Sequence, residues 1–330
     1  MSNMNLDSID RKLLNLVQVE FPLTKEPYAD LGARLGIGGD EVIHRIEQLK
    51  AKGIVRQISP VLDARSLGYQ ITLVAMRVAE DQLDKAERLI TKHTGISHGY
   101  ERDHYFNLWF TLAIPPTADI ETELQQLTSP IDVEAIFALP AIKLFKIGAY
   151  FDMGEDSQSA AETVTQPDGI LPQKVELSQI DRLIINELQQ DLPLIPRPFA
   201  DMLARLGMDV EDFLAQCQSL RQRAVMRRFG AAVNHKRAGF KANGMACWVA
   251  PPNMVEVVGQ KLASLREVSH CYERKTNLLW RYNLFAIIHG HTREACQEIA
   301  SKVSGETGLK DYVLLFSTKE FKKVRVKYLV

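Results

Sequence analysis

Ile96-Ser97-His98-Gly99-Tyr100-Glu101-Arg102 and Val268-Ser269-His270-Cys271-Tyr272-Glu273-Arg274 are one pattern written twice, 172 positions apart. Read as a β-strand, in which alternate residues share a face, each places a His, a Tyr and an Arg side by side. The repetition extends outward from there. At a shift of 171, Leu6-Asp7-Ser8-Ile9-Asp10-Arg11 falls on Leu177-Ser178-Gln179-Ile180-Asp181-Arg182. Ala33-Arg34-Leu35-Gly36 likewise falls on Ala204-Arg205-Leu206-Gly207, and Gly68-Tyr69 on Gly239-Phe240. Asn107-Leu108 meets Asn283-Leu284 at a shift of 176, so the second copy carries a longer hairpin. A period this long marks one unit duplicated and fused, not a solenoid array.

Each copy opens with helical periodicity. Leu6, Ile9, Leu13, Leu14, Leu16 and Val17 follow the 3.6 period behind Asp7 or Ser8 as N-cap. Pro27 starts a second helix ending near Gly36, and Asp40 to Lys52 is a third, closed by Gly53. Three short helices with a glycine turn before the third predict a helix-turn-helix, and residues 54–63 a small strand pair, or wing. The rest alternates types: strand Tyr69–Val78, helix Gln82–His93, hairpin Ser97–Arg102 with Tyr105–Ile114, helix Ile120–Leu127, and a strand within Ile136–Tyr150. That βαββαβ order predicts a ferredoxin-like sheet with helices on one face. The expected fold is α+β: two tandem copies of a winged helix-turn-helix followed by a ferredoxin-like domain. The boundaries fall at 1–65, 66–151, 177–237 and 238–330. Between the copies, 152–176 is rich in Glu, Asp, Ser, Gln and Pro and is expected to be a flexible linker.

With 40 Lys+Arg against 41 Asp+Glu, the chain lacks the basic excess of a dedicated nucleic-acid binder. No apolar run approaches a membrane span, and the N-terminus lacks the basic start and apolar core of a signal peptide. Cys217, Cys247, Cys271 and Cys296 form no CxxC pair, which predicts a reduced, cytoplasmic protein. His289-Gly290-His291 has no accompanying ligand set and reads as structural, so no protein-held metal is expected.

The helix-turn-helix plus ferredoxin-like arrangement resembles the Lrp/AsnC family of amino-acid-responsive regulators over nearly all of both copies. The segments HGYERDHYFNLWF (98–110) and HCYERKTNLLWRYNLFAIIHG (270–290) are more specific. They are similar to the two subunit types of the sirohaem decarboxylase family, here in one chain. The resemblance implies loss of two acetate carboxylates from sirohaem, giving 12,18-didecarboxysirohaem on the routes to haem d1 or haem. It implies no cofactor, with iron arriving in the substrate, and an intramolecular pseudo-dimer of the two copies. Further pairing into a homodimer is left open by the sequence.

Such chemistry needs a carboxylate held out of the ring plane and an acid to protonate the carbon left behind. Histidine suits proton donation near neutrality, and arginine suits carboxylate clamping. His98 and His270 are therefore the candidate donors, Arg102 and Arg274 the clamps, and Tyr100 and Tyr272 the orienting groups. Half-buried His and Tyr are often structural, but recurrence of three polar types at one spacing favours function, since buried polar groups need partners. For the remaining carboxylates, Arg56, Arg65, His104, Asn107, Arg227, Arg228, His235, Lys236 and Asn283 are candidate contacts; Trp109, Trp280 and Tyr282 are candidates for stacking on the macrocycle.

Two rivals share this frame. A DNA-binding regulator would read bases with its third helices, but these open with Asp40-Glu41 and with Asp209, Glu211 and Asp212. Acidic groups there repel phosphate, so no specific DNA binding is expected. A tetrapyrrole-binding chaperone would use the same pocket without turnover.

Overall fold

The computed structural model describes residues 6–19, 21–148, 164–165, 171–234 and 242–330. The chain enters through α1 (Ser8–Val19), α2 (Pro27–Leu35), α3 (Gly39–Ala51) and strand β1 (Val55–Leu62). It continues through β2 (Gln70–Arg77), α4 (Leu83–Lys92), β3 (Ile96–Arg102), β4 (Leu108–Ile114), α5 (Ile120–Thr128) and β5 (Ala135–Ile147). After the short β6 (Val164–Thr165) the order repeats. The helical part is α6 (Gln179–Leu188), α7 (Ala200–Leu206), α8 (Val210–Gln222) and strand β7 (Met226–Val233). Then follow β8 (Ala242–Trp248), α9 (Pro252–Ser264), β9 (Val268–Arg274), β10 (Leu284–Gly290), α10 (Arg293–Thr307) and β11 (Tyr312–Lys323). No described helix is long and apolar enough to cross a membrane.

The helix boundaries follow local chemistry. Asp10 N–H donates to Asp7 Oδ1 (2.7 Å), which caps α1, and Ser178 with Asp181 forms a capping box on α6. Pro27 sits in the first turn of α2, where no N–H is needed, and Gly36 ends it in the left-handed region. The two helical units share one apolar core, in which Leu13, Leu14 and Val17 join Ile184, Ile185 and Phe229. The wing differs from expectation. β1 is a single strand whose partner is β7 of the other copy, antiparallel with Ser59 opposite Gly230. Pairing across copies covers two edges that separate hairpins would leave to solvent.

Within the copies the strands run β5-β2-β4-β3 and β11-β8-β10-β9, all antiparallel. β5 pairs with β2 through Ala135–Pro140, then with β9 through Ala141–Ile147. β11 mirrors this, pairing through Tyr312–Phe316 with β8 and through Ser317–Lys323 with β3. The copies thus meet through their sheets edge to edge, and eight strands close into a barrel, which removes the open edges. Apolar clusters pack helices against the outside; another fills part of the inside.

Two buried lysines lock the closure. Lys322 Nζ donates to Ile90 O (3.1 Å) and His93 O (2.5 Å) at the end of α4, and Lys146 Nζ donates to Leu265 O (2.6 Å) at the end of α9. Each cation caps a helix of the opposite copy, where the helix dipole favours it. Residues 152–163 and 166–170 of the expected linker lie outside the described residues. The end of that segment does not behave as a linker: Val175 N–H donates to Ser66 O (2.9 Å), and Leu171 and Pro172 line the barrel cavity.

Candidate active site

Phe106, Trp109, Phe137, Leu139, Met245, Trp280, Phe285 and Leu315 form an apolar floor inside the barrel. Beyond it lies a cavity of about 320 Å³, at the lower end of the roughly 300–1,000 Å³ of small-molecule sites. His98, Tyr100 and Arg102 of β3 line it together with His270, Tyr272 and Arg274 of β9. Strand alternation puts each trio on one wall, and barrel closure brings the two walls to one space.

The walls match closely. The His98 and Tyr100 rings lie 6.4 Å apart at 24°, and those of His270 and Tyr272 lie 6.4 Å apart at 22°. The guanidinium of Arg102 is 5.4 Å from the centre of Tyr100, and that of Arg274 is 4.6 Å from the centre of Tyr272. Arg102 Nη1 donates to Leu315 O (3.0 Å) and Arg274 Nη1 to Leu139 O (2.8 Å), just before β11 and β5 pass into the other copy's sheet. Neither arginine has a carboxylate partner among the described residues, and the Nε of each is buried without a hydrogen bond. Burial lowers both pKa values to about 10, which leaves them cationic at neutral pH. Two buried charges without counter-charge are costly.

Burial also governs the histidines. Desolvation, aided by Lys323, pushes His98 down to about 4; desolvation, aided by His289, pushes His270 down to about 3. Both are half-buried, and the surface they keep faces the cavity rather than bulk solvent. Burial raises Tyr100 and Tyr272, so both are neutral phenols at neutral pH.

Of the outlying candidates, Arg65, Arg227 and Trp109 line the cavity. Arg227 is ion-paired with the buried Asp63, and desolvation lowers Arg65. The other described candidates do not line it. Arg56 is taken by Glu320 Oε1 and Lys323 O, at 2.9 Å each. Arg228, half-buried, donates to Gln18 O in the helical units, and desolvation lowers its pKa. His104 Nδ1 accepts from Phe106 N–H (3.1 Å), and its ring packs on Trp280. Asn107 and Asn283 each clasp both backbone groups of one residue, Val78 and Ala250, at 2.8–3.2 Å. They do so because β4 and β10 begin only after them, leaving strand-end groups that an amide can satisfy. Trp280 packs 5.0 Å from Trp109 and 5.1 Å from Tyr282 as part of the floor. His235 and Lys236 lie outside the described residues.

Other cavity residues escaped the sequence reading. Ser97 and Ser269 line it beside His98 and His270, although neighbours in a regular strand face opposite sides. Each is the extra residue of a β-bulge: the register passes from Ile96 to His98 and from Val268 to His270. His289, read as structural, also faces the cavity; its alternation with Ile287 and Phe285 was the available signal. Glu101, which strand alternation turns towards the helices, is answered there by Lys319 (3.4 Å), which also pairs with Glu87 (2.6 Å).

A helix-turn-helix unit followed by half of a barrel, and doubled, defines an AsnC-like chain. The model of the AsnC-like ligand binding domain matches residues 66–146 and 237–322, and that of the siroheme decarboxylase NirDL-like HTH domain matches 10–56 and 181–227. The chain belongs to the sirohaem decarboxylase family. It is 39% identical to the siroheme decarboxylase of Hydrogenobacter thermophilus over 96% of this chain and 94% of that one. The siroheme decarboxylase alpha subunit of Desulfovibrio desulfuricans is 40% identical, covering 46% of this chain and 88% of its own. The beta subunit of Methanosarcina barkeri is 35% identical, covering 46% of this chain and 99% of its own. Half-length subunits of two kinds thus correspond to a fused pair. The solved siroheme decarboxylase NirDL superimposes with a TM-score of 0.72 at 35% identity, covering 98% of this chain and 95% of that one. A second structure of it, in complex with an iron-uroporphyrin III analogue, also gives 0.72, at 34% identity and the same coverage.

Proposed function

We propose that the chain removes both acetate carboxylates of sirohaem, giving 12,18-didecarboxysirohaem for haem d1 or an alternative haem route. The iron arrives in the substrate and no cofactor is added. The observation that carries this reading is the pair Arg102 and Arg274 on opposite walls of one cavity, each with a buried, unbonded Nε and no carboxylate partner among the described residues. A polycarboxylate edge entering the barrel supplies the missing charge, and a guanidinium fork fixes a carboxylate in one plane. Tyr100 and Tyr272 orient the bound groups. Held with its bond overlapping the ring π-system, the acetate loses CO₂, and His98 or His270 protonates the remaining carbon. Carboxylates entering beside these histidines oppose the depression of their pKa values. Arg65, Arg227 and Trp109 complete the contacts. Losing one general acid costs about 10²–10⁴ in rate.

The helical units serve the pseudo-dimer rather than DNA. In α3, Arg45 is held by Asp7, Asp10 and Glu41 at 2.7–2.8 Å, which withdraws a cation from any duplex. Helix-turn-helix units at 1–65 and 177–237, ferredoxin-like units at 66–151 and 238–330, and an intervening 152–176 remain the domain division we favour.

Anaerobic incubation with sirohaem followed by mass spectrometry tests the reading. Stepwise loss of two carboxylates is expected; bound but unchanged sirohaem would mark a carrier. With His98→Ala and His270→Ala, a single working donor predicts that one variant loses turnover while the other mainly binds more weakly. Two working donors predict a monodecarboxylated product from each. Wild-type rates of both steps in both variants would remove the histidines from the mechanism.

A further inference from the structure

Ser269 Oγ lies 2.8 Å from His270 Nδ1 and 2.8 Å from His289 Nε2, so one hydroxyl joins two histidines. The first copy holds only half of this arrangement. Ser97 Oγ lies 2.8 Å from His98 Nδ1, but the position matching His289 is Ala113. Ile288 pairs with Val268 as Leu112 pairs with Ile96, and the next N–H donates to Glu267 O in one copy and to Gly95 O in the other. The titratable and charged groups around His270 are His289 from β10, His98 from β3, Lys323 from β11 and Arg227 from β7; β5 presents the apolar Ile147. Those around His98 are Lys323, Glu320 and Arg56. The two walls match in their trios and differ in what stands behind them.

We propose that His289 reprotonates His270 through Ser269, so that protons reach the substrate from the wall formed by β9 and β10. This rests on the decarboxylation reading above. Each step breaks one C–C bond: the electron pair stays on the methylene carbon, CO₂ leaves, and the carbon takes one proton to become a methyl group. Nothing is oxidised or reduced, and one proton is consumed per carboxylate. His270 gives its Nε2 proton to that carbon. Ser269 passes its hydroxyl proton to His270 Nδ1 and takes one from His289 Nε2. His270 ends neutral in its other tautomer, Ser269 is restored, and His289, starting protonated, ends neutral. Solvent then has to return a proton to His289 before the next step.

The physical reason is the burial of His270. A cationic imidazole there is strongly disfavoured, and a neutral one is a weak acid. Passing a proton in at Nδ1 as another leaves at Nε2 lets the neutral ring donate without becoming a cation or an anion. The bulge at Ser269 is what aims the hydroxyl between the two rings. His289 is thus a positioning residue acting through Ser269.

The test uses the full chain and sirohaem under anaerobic conditions. Wild-type turnover is measured first; its absence would refute the parent reading, not the relay. His289→Ala and Ser269→Ala are then compared in single-turnover rate, spectrophotometric sirohaem affinity and pH profile. The relay predicts affinity within about threefold of wild type and rates lower by about 10–100-fold, a fraction of the loss expected for a general acid. The pH profile of His289→Ala should differ from that of wild type. Added imidazole should restore His289→Ala but not Ser269→Ala, and Ser269→Thr should recover most activity. Unchanged rates, or a rate loss that imidazole does not restore, would overturn the proposal. If His289→Ala does not fold, the contrast between Ser269→Ala and Ser269→Thr decides: equal rates overturn the relay.

Discussion

Replacing Arg102 with methionine should make the empty protein more stable while weakening its hold on sirohaem. Arg102 is 6% exposed, and its pKa falls from 12.5 to about 10 because burial strips its water. At about 1.4 kcal/mol per tenfold, keeping that charge inside costs on the order of 3 kcal/mol. Methionine has comparable length and no charge, but it abandons the bond to Leu315 O, leaving a buried carbonyl at a cost of about 1–2 kcal/mol. The net gain is on the order of 1–2 kcal/mol. Its sign follows from the titration: the folded pKa is depressed, so the penalty is fully present at pH 7 and fades above about 10. Substrate binding should move the other way. One charge-assisted hydrogen bond is worth about 1.5–3 kcal/mol, so affinity should drop by roughly 10–100-fold. Urea unfolding at pH 7 and spectrophotometric titration with sirohaem measure the two effects. A variant that is clearly less stable yet binds as tightly as wild type would refute the reasoning, because Arg102 would then be structural.

Three further outcomes are expected. In the empty protein His98 and His270 have pKa values of about 4 and about 3, below the ordinary 6.5, so stability is full above pH 6.5 and is lost as pH falls towards 4. Unfolding midpoints should therefore drop between pH 7 and 5, and less so in His270→Gln; an equal drop in that variant would remove His270 as a cause. Lys322→Met should destabilise by about 2–4 kcal/mol in urea unfolding, because the cation it removes holds two carbonyls at the end of α4; an unchanged midpoint would show that the cap is dispensable. Gel shifts should reveal no sequence-specific duplex binding, and salt-sensitive sub-micromolar binding to a defined operator would show that the third helices had been misjudged.

Local order was legible in the amino-acid sequence because it is set by near neighbours. The duplication, the three helices before each sheet, and the shared face of His98, Tyr100 and Arg102 follow from spacing alone. Periods of 3.6 and 2 need only a dozen residues to declare themselves. Only the tertiary structure decided which edges joined. β1 left its own copy for β7, and β5 and β11 divided their lengths between two sheets, through contacts more than a hundred residues apart in sequence. Those joins turned two faces into one cavity and gave Arg56 to Glu320. The clasps made by Asn107 and Asn283 depend on where a strand begins, which periodicity places only to within a few residues. The bulges at Ser97 and Ser269 were hidden for a different reason: one extra residue in a ladder reverses the face of a side chain without leaving a mark in composition or period.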